Sequence, residues 1–100
     1  VLDLQNPQVL LNTVHDTAEA TGIFAPGDIK VRIDAYKLFK NGNSKKDFIH
    51  IFGNLMQGRS TEQKKQLSQS IISALKPLYP DLPILSMNVR EFEKASYSKA

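Results

Sequence analysis

The stretch GRSTEQKKQL, residues 58–67, sets a lone arginine directly ahead of a helix start. Gly58 can turn the chain sharply. Ser60 can cap the helix, and Gln63, three residues on, can reach back to the cap's own N–H. Arg59 is thereby held beside the positive end of a helix dipole and its unpaired backbone N–H groups, a combination that suits an anion such as a carboxylate. The bland alternative is a surface arginine in an ordinary strand-to-helix loop. The other chemistry-bearing residues point to less. His50 alternates with Phe48 and Phe52, and a lone histidine on such a face is most often a packed, hydrogen-bonded residue. His15 falls mid-helix, on the surface. Neither has a third ligand-type residue at metal spacing, so no metal is proposed. Asp34 shares a strand face with Arg32, an arrangement as well suited to ion pairs between subunits as to chemistry.

The chain that must position these groups has 100 residues, enough for one domain. Forty-one per cent hydrophobic residues and a formal charge of +3 are ordinary for a globular protein, and the charge is too dispersed to argue for nucleic acid. Lys45-Lys46, beside Asn41-Gly42-Asn43-Ser44, reads as a solvated loop tip. Lys64-Lys65 belongs to the polar face of a helix. No cysteine is present, which agrees with a cytoplasmic location and removes thiol chemistry. No apolar run approaches membrane length, and no signal peptide is apparent.

Asn6-Pro7 announces a first helix, with a cap residue ahead of a proline at the first helical position. Leu10, Val14 and Ala18, with Thr17 and Thr21, form one stripe at helical spacing, and Gly22 ends it. APGD (25–28) is a turn. Over 29–38 the pattern has period two: Ile29, Val31, Ile33 and Ala35 face one way, Lys30, Arg32, Asp34 and Tyr36 the other. That predicts a strand. KNGNSKK (40–46) is a turn and DFIHIFGNLM (47–56) a second strand. The helix capped by Ser60 carries Leu67, Ile71, Ala74, Leu75 and Leu78 on one side and is closed by Pro77 and Pro80. PILSMNVREF (83–92) is a third strand.

The halves repeat. Asn6 and Ser60 cap helices 54 residues apart, and Ile29 and Ile84 open strands 55 apart. Repeat two (47–93) has strand, helix and strand, whereas repeat one (1–40) has only helix and strand. A βαβ unit needs its first strand for a parallel pair. The expectation is therefore a first strand of roughly ten residues, a typical strand-plus-turn length, lying upstream of Val1.

GRSTEQKKQL resembles the turn and helix start of 4-oxalocrotonate tautomerases. With ATGIF (20–24), IKVRI (29–33), DFIHI (47–51), GRS (58–60) and LSMNVREFE (85–93), the wider chain is similar to the 5-carboxymethyl-2-hydroxymuconate isomerase family, the two-repeat branch of the tautomerase superfamily. The matches span most of the chain in the right order. ATGIF and GRS together are more specific than either alone.

The resemblance implies an α+β fold of two β-α-β repeats, a four-stranded mixed sheet with two helices on one face, its first strand absent from this chain. It also implies a homotrimer. The sheet face away from the helices fits that assembly by composition. Arg32, Asp34, Tyr36, His50, Asn88 and Arg90 are too polar for a monomer core, and too mixed with Phe48, Phe52 and Phe92 for bare surface. The implied activity is that of an isomerase moving a double bond in an unsaturated dicarboxylate of the 2-hydroxymuconate type, a product of aromatic ring cleavage. Its base would be the secondary amine of an N-terminal proline, since an α-amino group titrates near neutrality, at about 8 before perturbation. The five prolines here, Pro7, Pro26, Pro77, Pro80 and Pro83, are all internal. The spacing of ATGIF puts the family's proline about ten residues before Val1, and a chain that truly began at Val1 would be an inactive remnant.

The resemblance further makes Arg59 the partner of the substrate carboxylate and of the developing dienolate oxygen. A second cation group is implied where the family has an arginine on each side of one residue. Here that pattern is Lys30-Val31-Arg32: Arg32 matches, and Lys30 replaces a fork with a point charge. No cofactor is implied, because the substrate's own carbonyl is the electron sink. Two other readings stay open on the same scaffold: a non-catalytic trimeric binding protein, and a decarboxylase or hydratase.

Overall fold

The computed structural model describes residues 6–42 and 46–100. Its elements are α1 (Pro7–Ala20), β1 (Phe48–Met56), α2 (Thr61–Leu75), a 3-10 turn (Lys76–Leu78) and β2 (Ile84–Phe92). The strands pair in parallel, Phe48 opposite Ile84 through Met56 opposite Phe92. A parallel pair cannot be closed by a hairpin, and α2 makes the crossover. The second half is thus a β-α-β unit, as its strand–helix–strand pattern predicts.

The helices lie on one face of this sheet. Leu10, Val14 and Ala18 of α1 and Leu67, Ile71 and Leu75 of α2 are buried at helical spacing, together with Leu55 of β1. Ile49, Ile51, Leu85, Met87 and Val89 pack on them from the sheet. Ile71 and Leu75 are 2% and 0% exposed, and burying each contributes about 1.5–3 kcal/mol. Gly22 ends α1 with φ of 74°, the left-handed conformation that glycine adopts without a Cβ penalty.

The structure departs from the sequence reading at four points. First, the alternating segment 29–38 joins no ladder, and the described sheet has two strands where three were expected in this chain. Its burial still alternates over 29–34, with Ile29, Val31 and Ile33 half-buried on the core and Lys30, Arg32 and Asp34 exposed. Side-chain partition has the strand period, but a strand also needs a neighbour to accept its backbone hydrogen bonds, and none lies beside it among the described residues. Second, Asn6 makes no side-chain cap bond to α1; its carbonyl accepts from Val9 N–H at 3.1 Å, and Pro7 occupies the first turn. Third, α2 stops at Leu75 and tightens into the 3-10 turn containing Pro77, which has no N–H to continue the α ladder. Fourth, Leu78, expected on the apolar stripe, is 43% exposed because the helical period is broken before it. The turn expected over 40–46 lies partly outside the described residues, as does the segment 1–5.

Among the described residues no helix is long and apolar enough to cross a membrane.

Candidate functional site

The start of α2 is built as its sequence dictates. Ser60 Oγ accepts from Gln63 N–H at 3.1 Å, and Gln63 Oε1 accepts from Ser60 N–H at 2.9 Å, a complete capping box. Gly58 takes φ of 124°, a conformation closed to most L-residues. The glycine swings the chain out of β1 and sets Arg59 against the loop after α1.

There Arg59 is half-buried and bound to main chain. Its Nε–H and Nη2–H both donate to the Ile23 carbonyl, at 3.2 and 3.1 Å, and its Nη1–H donates to the Met56 carbonyl at 3.1 Å. The guanidinium carbon lies 5.0 Å from the centre of the Phe24 ring, within cation–π range. A guanidinium has five N–H donors. Three are used, which leaves one on Nη1 and one on Nη2. Arg59 is neither a free surface side chain nor fully spent: one edge is clamped, and two donors remain for an anion.

The backbone at the head of α2 already has a carboxylate beside it. Glu91 of β2 forms an ion pair and hydrogen bond with Lys64, in the first turn of α2. The Lys64 hydrogen bond holds the Glu91 carboxyl below its ordinary range, with the Lys64 charge and the Gly58 N–H acting in the same direction.

Lys30 and Arg32, the other expected anion ligands, are both exposed and share one side of the segment leading away from Phe24. Among the described residues, Arg59's hydrogen-bond and cation–π partners are Ile23, Met56 and Phe24. The structure joins Arg59 to the ATGIF loop and leaves the second cation group beside that loop.

His50 is bonded at both ring nitrogens, to Ser86 Oγ at 2.7 Å and Asn88 Oδ1 at 2.6 Å. Oδ1 can only accept, so Nε2 carries a proton, and the Ser86 hydroxyl can supply Nδ1. The Phe52 ring stands edge-on at 4.6 Å. The sequence expectation of a hydrogen-bonded rather than catalytic histidine agrees with this, although the face carrying His50 is open in the single chain. His15 bonds Asp16 at 3.1 Å. Among the described residues no group of three metal-ligating side chains comes together. A pocket of about 170 Å³, lined by Ile72, Tyr79, Leu82 and Leu85, lies at the far end of α2, about 22 Å of helix from Arg59. Burial there pushes the Tyr79 hydroxyl up.

The family model for 5-carboxymethyl-2-hydroxymuconate isomerase matches residues 3–100. The chain belongs to this family. A search of the curated proteins gave no match. The 5-carboxymethyl-2-hydroxymuconate isomerase match runs through both helices, both strands and the Arg59 clamp, and it makes this an isomerase-family chain. Two residues of the clamp had no separate role in the sequence reading. Ile23 and Phe24 stood out only as part of ATGIF, and nothing in their spacing shows that they meet Arg59 35 or more positions later.

Proposed function

We propose that this protein is an isomerase that moves a double bond in an unsaturated dicarboxylate of the 2-hydroxymuconate type. The observation that carries this is the Arg59 guanidinium, held by three main-chain hydrogen bonds with one N–H left on each Nη. A carboxylate needs two such donors for a bidentate contact, and a clamped side chain offers them without first losing rotamer freedom. The family match supports the reaction class.

In this reading Arg59 binds a substrate carboxylate and stabilises the dienolate oxygen as charge grows there. Arg32 and Lys30 supply the second carboxylate site. The base is an amino-terminal proline on a strand ahead of α1. The amine takes the proton of the dienol's 2-hydroxyl, leaving the dienolate that Arg59 stabilises, and returns it to carbon further along the conjugated chain. The hydroxyl-bearing carbon becomes a carbonyl, so the step balances without a cofactor. Such a strand fits the fold: among the described residues β1 is paired on one edge only, and 29–34 partitions like a strand with no ladder partner.

The assembly proposed is a homotrimer closed over the open sheet face. Phe48, Phe52 and Ile84 are 38%, 66% and 40% exposed there, around the His50–Ser86–Asn88 bonds. The Cα radius of gyration is 14.7 Å, against about 13 Å for a self-sufficient domain of this length. A non-catalytic binding protein on the same scaffold is the second reading, favoured if the mature protein starts with a residue other than proline.

The test is an ultraviolet assay of double-bond migration in 2-hydroxymuconate with the mature protein from its own cell, its amino terminus sequenced. Turnover by a proline-initiated chain, lost in Arg59→Ala, supports the isomerase. A proline-initiated chain that binds the dicarboxylate without turning it over selects the binding protein.

A further inference from the structure

We infer that Phe24 is a positioning residue for Arg59, so that the ATGIF loop sets the direction in which the arginine offers its remaining N–H pair. The inference rests on the proposal that Arg59 receives a carboxylate. The Ile23 carbonyl takes the Nε and Nη2 edge of the guanidinium, and Met56 takes one Nη1 donor. In-plane bonds of this kind restrain the group along its edges but not against tilting about the line that joins them. The Phe24 ring supplies the missing restraint, since the guanidinium carbon sits 5.0 Å from its centre. The ring is itself held: Phe24 is half-buried and packed against the core cluster. A loop 35 residues earlier in the chain thus fixes the aim of an arginine at the head of α2.

An aromatic face matters beyond its bulk. The negative face of the ring attracts the cation, and a flat surface matches a flat guanidinium. Leucine at 24 would fill space without either property, whereas tyrosine would keep both.

The experiment compares Phe24→Leu, Phe24→Tyr and the parent, all as full chains, with two readouts. One is solvent exchange of the Arg59 Nε–H, followed by nitrogen-15 NMR. The other is the affinity for trans,trans-muconate, an unsaturated dicarboxylate without the reactive hydroxyl. Phe24→Leu should speed the exchange and weaken muconate by about two- to fivefold, the worth of an exposed cation–π contact. Phe24→Tyr should keep both near the parent. Backbone amide spectra identify a variant that has lost its fold, and Phe24→Met then replaces Phe24→Leu. Unchanged Nε–H exchange in a folded Phe24→Leu overturns the inference, as does equal weakening by leucine and tyrosine. If muconate binds none of the proteins while Phe24→Leu still frees the Nε–H, the positioning role stands and the carboxylate reading falls.

Discussion

Arg59 donates twice to the carbonyl of Ile23, 36 residues earlier, and so ties the head of α2 to the loop that follows α1. The two repeats meet through this contact as well as through the core. Arg59→Ala leaves the Ile23 and Met56 carbonyls without their charged partner. It should cost about 1–3 kcal/mol in urea unfolding, as hydrogen bonds to charged groups do, and abolish dicarboxylate binding. Arg59→Lys keeps the charge but cannot bridge both carbonyls and a carboxylate. It should recover less than half of either loss. Full recovery by lysine would show that charge alone matters.

Gly58 holds φ of 124° with no atom within 4 Å of where a Cβ would stand. The cost of Gly58→Ala is therefore backbone strain alone, with no steric clash. We expect about 1–3 kcal/mol of destabilisation, read from the urea midpoint. A neutral Gly58→Ala would mean that the loop can relax without it.

Glu91 is held below the ordinary carboxylate range by Lys64, so the unfolded chain binds a proton more readily at this position. The contribution to stability is fully present above the unfolded value near 4.5 and is lost as pH falls through the lower folded value. Glu91→Gln and Lys64→Met should each be less stable than the parent at pH 7, and the gaps should narrow by pH 3. A gap that is constant from pH 7 to pH 3 would remove this ion pair from the account.

Phe52 is 66% exposed on the sheet face away from the helices. Phe52→Asp would place a charge in the proposed trimer interface, where an unpaired buried charge is expensive. Sedimentation should show a shift from trimer towards monomer, with the α2 capping box intact by NMR. A parent protein that sediments as a monomer would dispose of the trimer.

Both helices and the strands β1 and β2 were legible in the sequence. Leu10, Val14 and Ala18, and then Leu67, Ile71 and Leu75, repeat at 3.6 residues, and an isolated helix of that pattern has one face to bury whatever it meets. Ser60 and Gln63 announced the capping box because the bonds that make it span only three residues. The same locality explains Gly58. Sequence also identified the family, because ATGIF, GRS and the intervening strand patterns fall in a fixed order, and it marked Arg59 as the cation of interest.

Tertiary structure decided what those residues touch. The period-two pattern of 29–38 fixed which side chains face the core but could not supply a ladder, since backbone pairing depends on a neighbour that periodicity does not encode. Lys64 and Glu91 lie 27 positions apart, and only the β-α-β crossover brings them together at the head of α2. Arg59 likewise needed the fold to acquire Ile23, Met56 and Phe24. Local bonds follow from spacing along the chain. Contacts between distant residues follow from how the helices and sheet bury their apolar faces together, and that is settled only when the whole chain has packed.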